Sequence, residues 1–439
     1  MVKIESIWEK SVERPQFDTL KGEHKTDVLV IGGGLTGLLS AYMLKENGID
    51  CILVEAERIC GATTANTTAK ITLQHGAIYD RMIRRFGVDF ARLYLKAQTD
   101  AMEKYRELCE NIDCDYKKVD AYLYTLCDVE KLKKETAAIN KLGFPAEFVE
   151  KTSLPFAVKG AVRVKNQAEF NPLKFAFAIA KNLPIYENTR VTELGPNLAV
   201  TENGSIRFKK AIVATHFPFL NKHGGYFIKM YQHRSYVLAV KNATKLDGIY
   251  VDEAKNGMSF RNYNGHLLIG GGDHRTGKKG GNWEELNRFR EKYFPDSRVV
   301  AKYATQDCMT LDDIAYIGKY SRRTPNLFVA TGFNKWGMTS SMVAAMLLTD
   351  LVQGKTNPYA RVFSPSRCML RPQLFINIFE ALVGFIAPTA PRCPHLGCAL
   401  KYNRAEHSWD CSCHGSRFSE KGRLLNNPAN TDKRIKRNK

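Results

Sequence analysis

Four side chains near the C-terminus have the types and spacing of a soft metal site. Cys393 and His395 form C-x-H, and Cys411 and His414 form C-x-x-H, with fifteen residues between the pairs. Thiolate sulfur and imidazole nitrogen suit two kinds of centre. One is tetrahedral zinc; the other is an iron–sulfur cluster in which two histidines replace two cysteines on one iron. C-x-H-x15-C-x2-H is not a common zinc spacing. A cluster so ligated carries one electron at a time, at a potential raised by its nitrogen ligands. Cys398 and Cys413 fall in the same stretch but outside this set, and His407, between the pairs, reads as a surface residue.

A second group of residues has the pattern of a dinucleotide site. Gly32, Gly34 and Gly37 stand in G-x-G-x-x-G spacing, with Gly33, Leu35 and Thr36 among them and Glu55 further on. Gly32 allows a tight turn, Gly34 lets backbone approach a pyrophosphate, and Gly37 lets a helix pack close to a strand. The helix N-terminus then faces the phosphates, and Glu55 accepts hydrogen bonds from a ribose. This chemistry needs a strand, a turn and a helix in that order. Val28–Ile31 reads as a buried strand, Leu38–Asn47 as a helix ended by Gly48, and "IDCILVE" as a second strand finishing at Glu55. The pattern alone does not separate NAD from FAD. The hydroxyl-rich "ERICGATTANTTAKITLQHG" follows Glu55, and a second strand–glycine turn–helix begins at Leu327–Ala330. A second helix N-terminus suits the flavin end of FAD.

From about Thr26 to about Asp350 the chain resembles the FAD-dependent oxidoreductases of the glycine oxidase and D-amino-acid oxidase superfamily. The resemblance rests on "VIGGGLTG", "ENTRVTEL", "AIVATHF", "DDIAYIG" and "NLFVATGFNKWGM", in the family's order. It implies a Rossmann-like α/β flavin domain interleaved with an antiparallel-sheet substrate domain. It also implies Val191 as a backbone contact on the adenine side, Gly332, Lys335, Trp336, Gly337 and Met338 capping the flavin, and Thr67 and Thr68 near the ring. The C-terminal stretch, with "HLGC" and "CHGSRF", resembles the Rieske [2Fe–2S] family. That implies Cys393, His395, Cys411 and His414 as ligands and a disulfide between Cys398 and Cys413. Two departures stand out. The linker after "FSPSR" is too short for the strands that usually precede a Rieske cluster loop, so the loops are expected almost alone, with an apolar helix over their exposed side. Phe418 stands where high-potential members carry tyrosine, so the potential is expected low in the Rieske range, with Ser416 as a remaining donor to sulfur.

Segments of about 20–85, 155–225 and 306–355 are expected in the flavin domain, and about 86–154 and 226–305 in the substrate domain. "DAYLYTLCD" and "RSYVLAVK" read as substrate-domain strands. A linker with an amphipathic helix would occupy 356–391, the cluster unit 392–432 and a basic tail 433–439. In "QLFINIFEALVGFIA" the residues Gln373, Asn377, Glu380 and Gly384 make one polar stripe on an apolar helix. Packing against protein is the favoured reading of that helix, and an interfacial membrane helix the alternative. It is too short to cross a bilayer.

The 439 residues carry a net charge of +20, which fits an acidic electron-carrier protein or a membrane face better than nucleic acid, because no nucleic-acid-binding signature occurs. The charged N-terminus lacks a secretory h-region, and most of the 11 cysteines are scattered. A cytoplasmic protein, in peripheral membrane contact on the alternative reading of the helix, is expected. The two cofactors together describe a dehydrogenase. An amine or amino-acid-like substrate would reduce FAD, and the cluster would pass single electrons to an external acceptor. The alternative is a redox sensor or electron-transfer flavoprotein without its own substrate. No general base stands out; His75 and Arg234, the latter as a carboxylate clamp, are the candidates.

Overall fold

Short runs of branched apolar residues build the first sheet. The computed structural model describes residues 3–387 and 391–433, so all of the expected basic tail except Lys433 lies outside the described residues. Gly22–Ile31 and Cys51–Val54 pair in parallel, Val28 beside Cys51, and Gly22–Ile31 also pairs in parallel with Gly204–Val213. The sheet runs Tyr316–Lys319, Leu327–Thr331, Gly204–Val213, Gly22–Ile31, Cys51–Val54, Ile185–Tyr186, with a small antiparallel pair attached to Gly204–Val213. Two helices, Leu35–Glu46 and Gly337–Val352, pack on each other and are buried along most of their lengths. Both are apolar nearly all round, as helices sandwiched in an α/β core must be.

The second sheet has nine strands and is mainly antiparallel. It runs from Arg298–Thr310 through Met230–Lys241, His266–Arg275, Ser259–Tyr263, Gly248–Asp252, Lys117–Thr125 and Gly160–Glu169 to Lys70–Ile71. Both strands expected from aromatic and β-branched alternation are in it. The segment boundaries shift, however. Lys70–Ile71 and Gly160–Glu169, assigned above to the flavin segments, hydrogen-bond into this sheet, with Leu123 opposite Val162. Arg298–Thr310 likewise runs past the boundary drawn at 306.

The C-terminal unit has its own four-stranded antiparallel sheet: Leu400–Asn403, Ser408–Cys411, Arg417–Ser419 and Leu424–Asn426. It does not stand almost alone. It leans on the strand Met230–Lys241, whose alternate residues Gln232, Arg234 and Tyr236 all reach it. Asn427 donates to the carbonyls of Thr215 and Phe217, and Arg275 donates to those of Ser412 and Cys413. The helix Pro372–Ile386 packs on protein, as the favoured reading has it, but it does so through its polar stripe, and its apolar side faces outward.

Candidate functional site

The glycine turn is built by close approach. A β-carbon on Gly37 would lie 1.8 Å from the Gly32 carbonyl oxygen, so only glycine lets this helix start so near the strand. Gly32 has φ +112°, and a β-carbon there would sit 2.6 Å from the Ala214 carbonyl oxygen. Gly34 differs: a β-carbon would meet only Thr64 Oγ1, at 3.7 Å. Gly34 also caps the helix Leu35–Glu46 without a side-chain hydrogen bond. Leu35 N–H donates to Thr64 Oγ1 at 3.2 Å, and the turn leaves open space in front of the helix N-terminus, which is a pyrophosphate cradle. Thr36 is buried and bonded to Ser341 on the second helix, at 2.9 Å. Glu55 accepts from the backbone N–H of Gly33 at 2.7 Å and of Glu57 at 3.0 Å; burial pushes its carboxyl up.

A cavity of about 1440 Å³ runs from this turn. Gly32, Gly34, Leu35, Thr36, Glu55 and Val191 line one part of it, and Thr67, Thr68, Gly332, Lys335, Trp336, Gly337 and Met338 line another. That exceeds the roughly 300–1,000 Å³ of pockets for drug-sized ligands, as a dinucleotide with a substrate beside it requires. Gly33 and Gly37 stand behind the lining as packing residues. The cavity's chain fits an extended FAD: an open cradle at one helix N-terminus and a second uncapped helix, Gly337–Val352, at the other end.

Both catalytic candidates named above are engaged by the protein itself. His75 is buried and stacks on Trp336, with ring centroids 4.8 Å apart. Its Nδ1 meets Tyr94 Oη at 2.6 Å and its Nε2 meets the Thr72 carbonyl at 2.9 Å. Burial pushes it down to about 3, so it is neutral and holds Trp336 in place. Arg234 borders the cavity, but its guanidinium is taken by Glu406, with Nε to Oε1 at 3.0 Å. A carboxylate clamp is therefore already occupied by this chain's own carboxylate.

The sheet supplies other polar groups that sequence reasoning missed. His233 Nδ1, Ser235 Oγ, Asp273 Oδ1 and Thr305 Oγ1 line the cavity, buried and without a hydrogen-bond partner. Lys335 pairs with Asp273. Lys70 donates to Ser259 Oγ at 2.9 Å and to Thr68 Oγ1 at 3.2 Å; burial, then nearby Arg261, lowers it to about 7. Burial raises Asp307 to about 6. Strand alternation in "YQHRSY" and "YATQDCM" was the available signal, since it separates His233, Ser235, Thr305 and Asp307 from Gln232, Arg234 and Gln306.

At the C-terminal unit the two loops converge. The His395 and His414 rings lie 4.9 Å apart, centroid to centroid. The Nδ1 atom of each is buried and unpartnered. His395 Nε2 is 2.9 Å from Asn221 Oδ1, which fixes that nitrogen as the protonated one and leaves Nδ1 with its lone pair. Burial lowers His395 to about 4 and His414 to about 3, so both are neutral, as ligands must be. The Cys393 thiol touches that of Cys411. This donor set could hold a [2Fe–2S] cluster. Cys398, Cys411 and Cys413 also have sulfurs within 4.8 Å of one another. Cys398 and Cys413, the pair for which a disulfide is implied, are neighbouring free thiols in this structure. Of the two histidines, His414 is buried against Phe227, and only His395 reaches the surface.

Comparison with known proteins matches residues 27–351 to the family described as "FAD dependent oxidoreductase" and residues 376–436 to "Rieske [2Fe-2S] domain". The Rieske 2Fe-2S iron-sulfur protein YhfW of Bacillus subtilis (strain 168) is 35% identical over 97% of this chain and 96% of its own. Gamma-glutamylputrescine oxidoreductase of Escherichia coli (strain K12) is 28% identical over 45% of this chain and half of its own. Glycine oxidase from Geobacillus kaustophilus shares the fold, with a TM-score of 0.66 and 19% identity over 79% of this chain and 99% of its own. The first domain binds FAD and the second a [2Fe–2S] cluster.

Proposed function

We propose that this chain, which belongs to the FAD dependent oxidoreductase family and carries a Rieske [2Fe–2S] domain, oxidises an amine or amino-acid-like substrate and sends the electrons out through the cluster. FAD supplies two-electron oxidation of a C–H bond beside nitrogen, and the cluster supplies one-electron transfer. The substrate class follows the amine and amino-acid chemistry in the names of the relatives. Cys393, His395, Cys411 and His414 are the proposed ligands, with Cys398 and Cys413 as a brace between the loops.

One observation carries the reading. Gln232 donates to the His414 carbonyl at 2.8 Å, and Gln306 donates to the Gly415 carbonyl at 2.8 Å. These glutamines alternate with the cavity-lining His233, Ser235, Thr305 and Asp307 on the same two strands. The cluster loop is thus bonded directly to the sheet that borders the cofactor cavity. His233, Ser235 and Thr305 offer unpaired groups to orient a polar substrate. Lys70, neutral above about pH 7, is the group suited to take the proton of a substrate ammonium.

The test is anaerobic stopped-flow with a panel of primary and secondary amines. At least one should bleach the flavin, at a rate that rises through about pH 7 and loses that limb in Lys70→Met. His395→Ala should keep the bleaching and lose rapid transfer to a one-electron acceptor protein. A flavin that no amine bleaches, but that a reduced carrier protein does, would favour the sensor reading instead.

A further inference from the structure

The helix Pro372–Ile386 inverts the usual amphipathic arrangement, in which the apolar side faces the core. Its polar stripe faces protein. Asn377 accepts from Arg275 at 3.0 Å and donates to the Ile228 carbonyl at 3.2 Å; Glu380 pairs with Lys278 at 2.6 Å. A β-carbon on Gly384 would lie 2.6 Å from Cys413 Sγ, so the helix rests on the cluster loops there. The outward side is apolar. Phe375 and Phe379 are each 64% exposed, Leu382 55% and Ile386 77%, with Leu370 at 72% just before the helix. A contiguous exposed apolar patch of this kind marks an interaction surface.

We propose that this face docks on an anionic lipid bilayer, with the helix lying in the plane of the membrane. Fifteen residues span only about 22 Å, short of a bilayer core of about 30 Å. Among the described residues no helix is long and apolar enough to cross a membrane. Charge selects the lipid. Arg85 and Arg371 both sit over the Phe86 ring, at 5.5 and 5.3 Å, beside the start of the helix. Among the described residues neither has a carboxylate within ion-pair distance, and Arg371 Nε is buried without a partner. Burial first, and then the neighbouring Arg371, lowers Arg85; an anionic headgroup would relieve that repulsion. A second copy of the chain fits this face poorly, because two molecules of net charge +20 repel, whereas an anionic surface attracts both basic and apolar parts. The patch continues to the cluster loop, where Leu396 is exposed and Gly397 lies against Phe385. Docking therefore sets the His395 loop at the headgroup level.

The test is vesicle flotation of the full holoprotein, with phosphatidylcholine alone or mixed with phosphatidylglycerol. Binding should require phosphatidylglycerol and weaken with salt. Phe375→Ser with Phe379→Ser should reduce the bound fraction about tenfold or more while flavin and cluster spectra stay unchanged. Arg85→Gln should weaken binding to the anionic vesicles without changing those spectra. No binding to phosphatidylglycerol vesicles, or binding indifferent to the phenylalanine pair, would overturn the proposal. So would sedimentation showing a dimer that the same pair abolishes in a protein that ignores vesicles.

Discussion

Replacing Glu406 by glutamine should loosen the cluster unit from the flavoprotein. Glu406, its side chain 9% exposed, accepts from Arg234 Nε at 3.0 Å, from Arg417 Nη2 at 2.9 Å and from Tyr236 Oη at 3.0 Å. Burial alone would raise its carboxyl, but the guanidinium groups of Arg234 and Arg417 overcome this and hold it down to about 2. Against an ordinary glutamate value of about 4.3, that is about 3 kcal/mol. The figure agrees in size with the roughly 3–5 kcal/mol lost when one partner of a buried pair is removed. Arg417 keeps Asp410, at 3.0 Å. Arg234, with its side chain 4% exposed, keeps no ion-pair partner among the described residues. Most of the cost therefore falls on Arg234, in the nine-stranded sheet. The sign also sets a pH dependence. The folded value is depressed, so the stabilisation is present above about pH 4.3 and fades as pH falls towards 2. The assay is urea unfolding followed by visible circular dichroism of the cluster and by flavin release. In Glu406→Gln the cluster signal should be lost at lower urea than the flavin, by an amount equivalent to about 3 kcal/mol. The acid sensitivity between about pH 4.3 and 2 should be smaller than in the wild type. Arg234→Met combined with Glu406→Gln should cost less than the two single changes added together. A single-variant shift below about 1 kcal/mol, with both signals still coincident, would refute this account of the junction.

Gly34→Val should abolish FAD binding while the protein stays folded, because the new side chain enters the open cradle; released chromophore after denaturation reports this. Gly37→Ala should instead depress folding itself, since its β-carbon would meet the Gly32 carbonyl at 1.8 Å. His395→Ala and His414→Ala should each remove the spectrum of the reduced cluster and leave FAD bound; an unchanged electron paramagnetic resonance signal would exclude that ligand. Cys398→Ser and Cys413→Ser should speed cluster loss without altering the ligand set. Ser416→Ala should lower the cluster potential, because the Ser416 hydroxyl reaches the Cys393 sulfur and a donor to sulfur stabilises the reduced state; protein-film voltammetry gives the shift.

Chemistry carried by residues close in the chain was legible before any fold was known. The turn at Gly32–Gly37 and the Cys–His pairs near 393 and 411 are local, so their spacing alone constrains which ligand geometry they can reach. Strand and helix types beside them followed for the same reason: side-chain period depends only on neighbouring residues. What the tertiary structure decided were pairings over long separations. Arg234 meets Glu406 from 172 residues away, and no feature of "YQHRSYVL" announces a carboxylate waiting there. His75 loses its catalytic candidacy only because folding brings Trp336, Tyr94 and Thr72 around it. The stripe Gln373, Asn377, Glu380 and Gly384 was visible as a pattern, yet its direction was not. Periodicity defines two faces of a helix, but which one turns inward depends on what the rest of the chain presents, and here Arg275, Lys278 and the cluster loops present polar groups and a sulfur to be packed against.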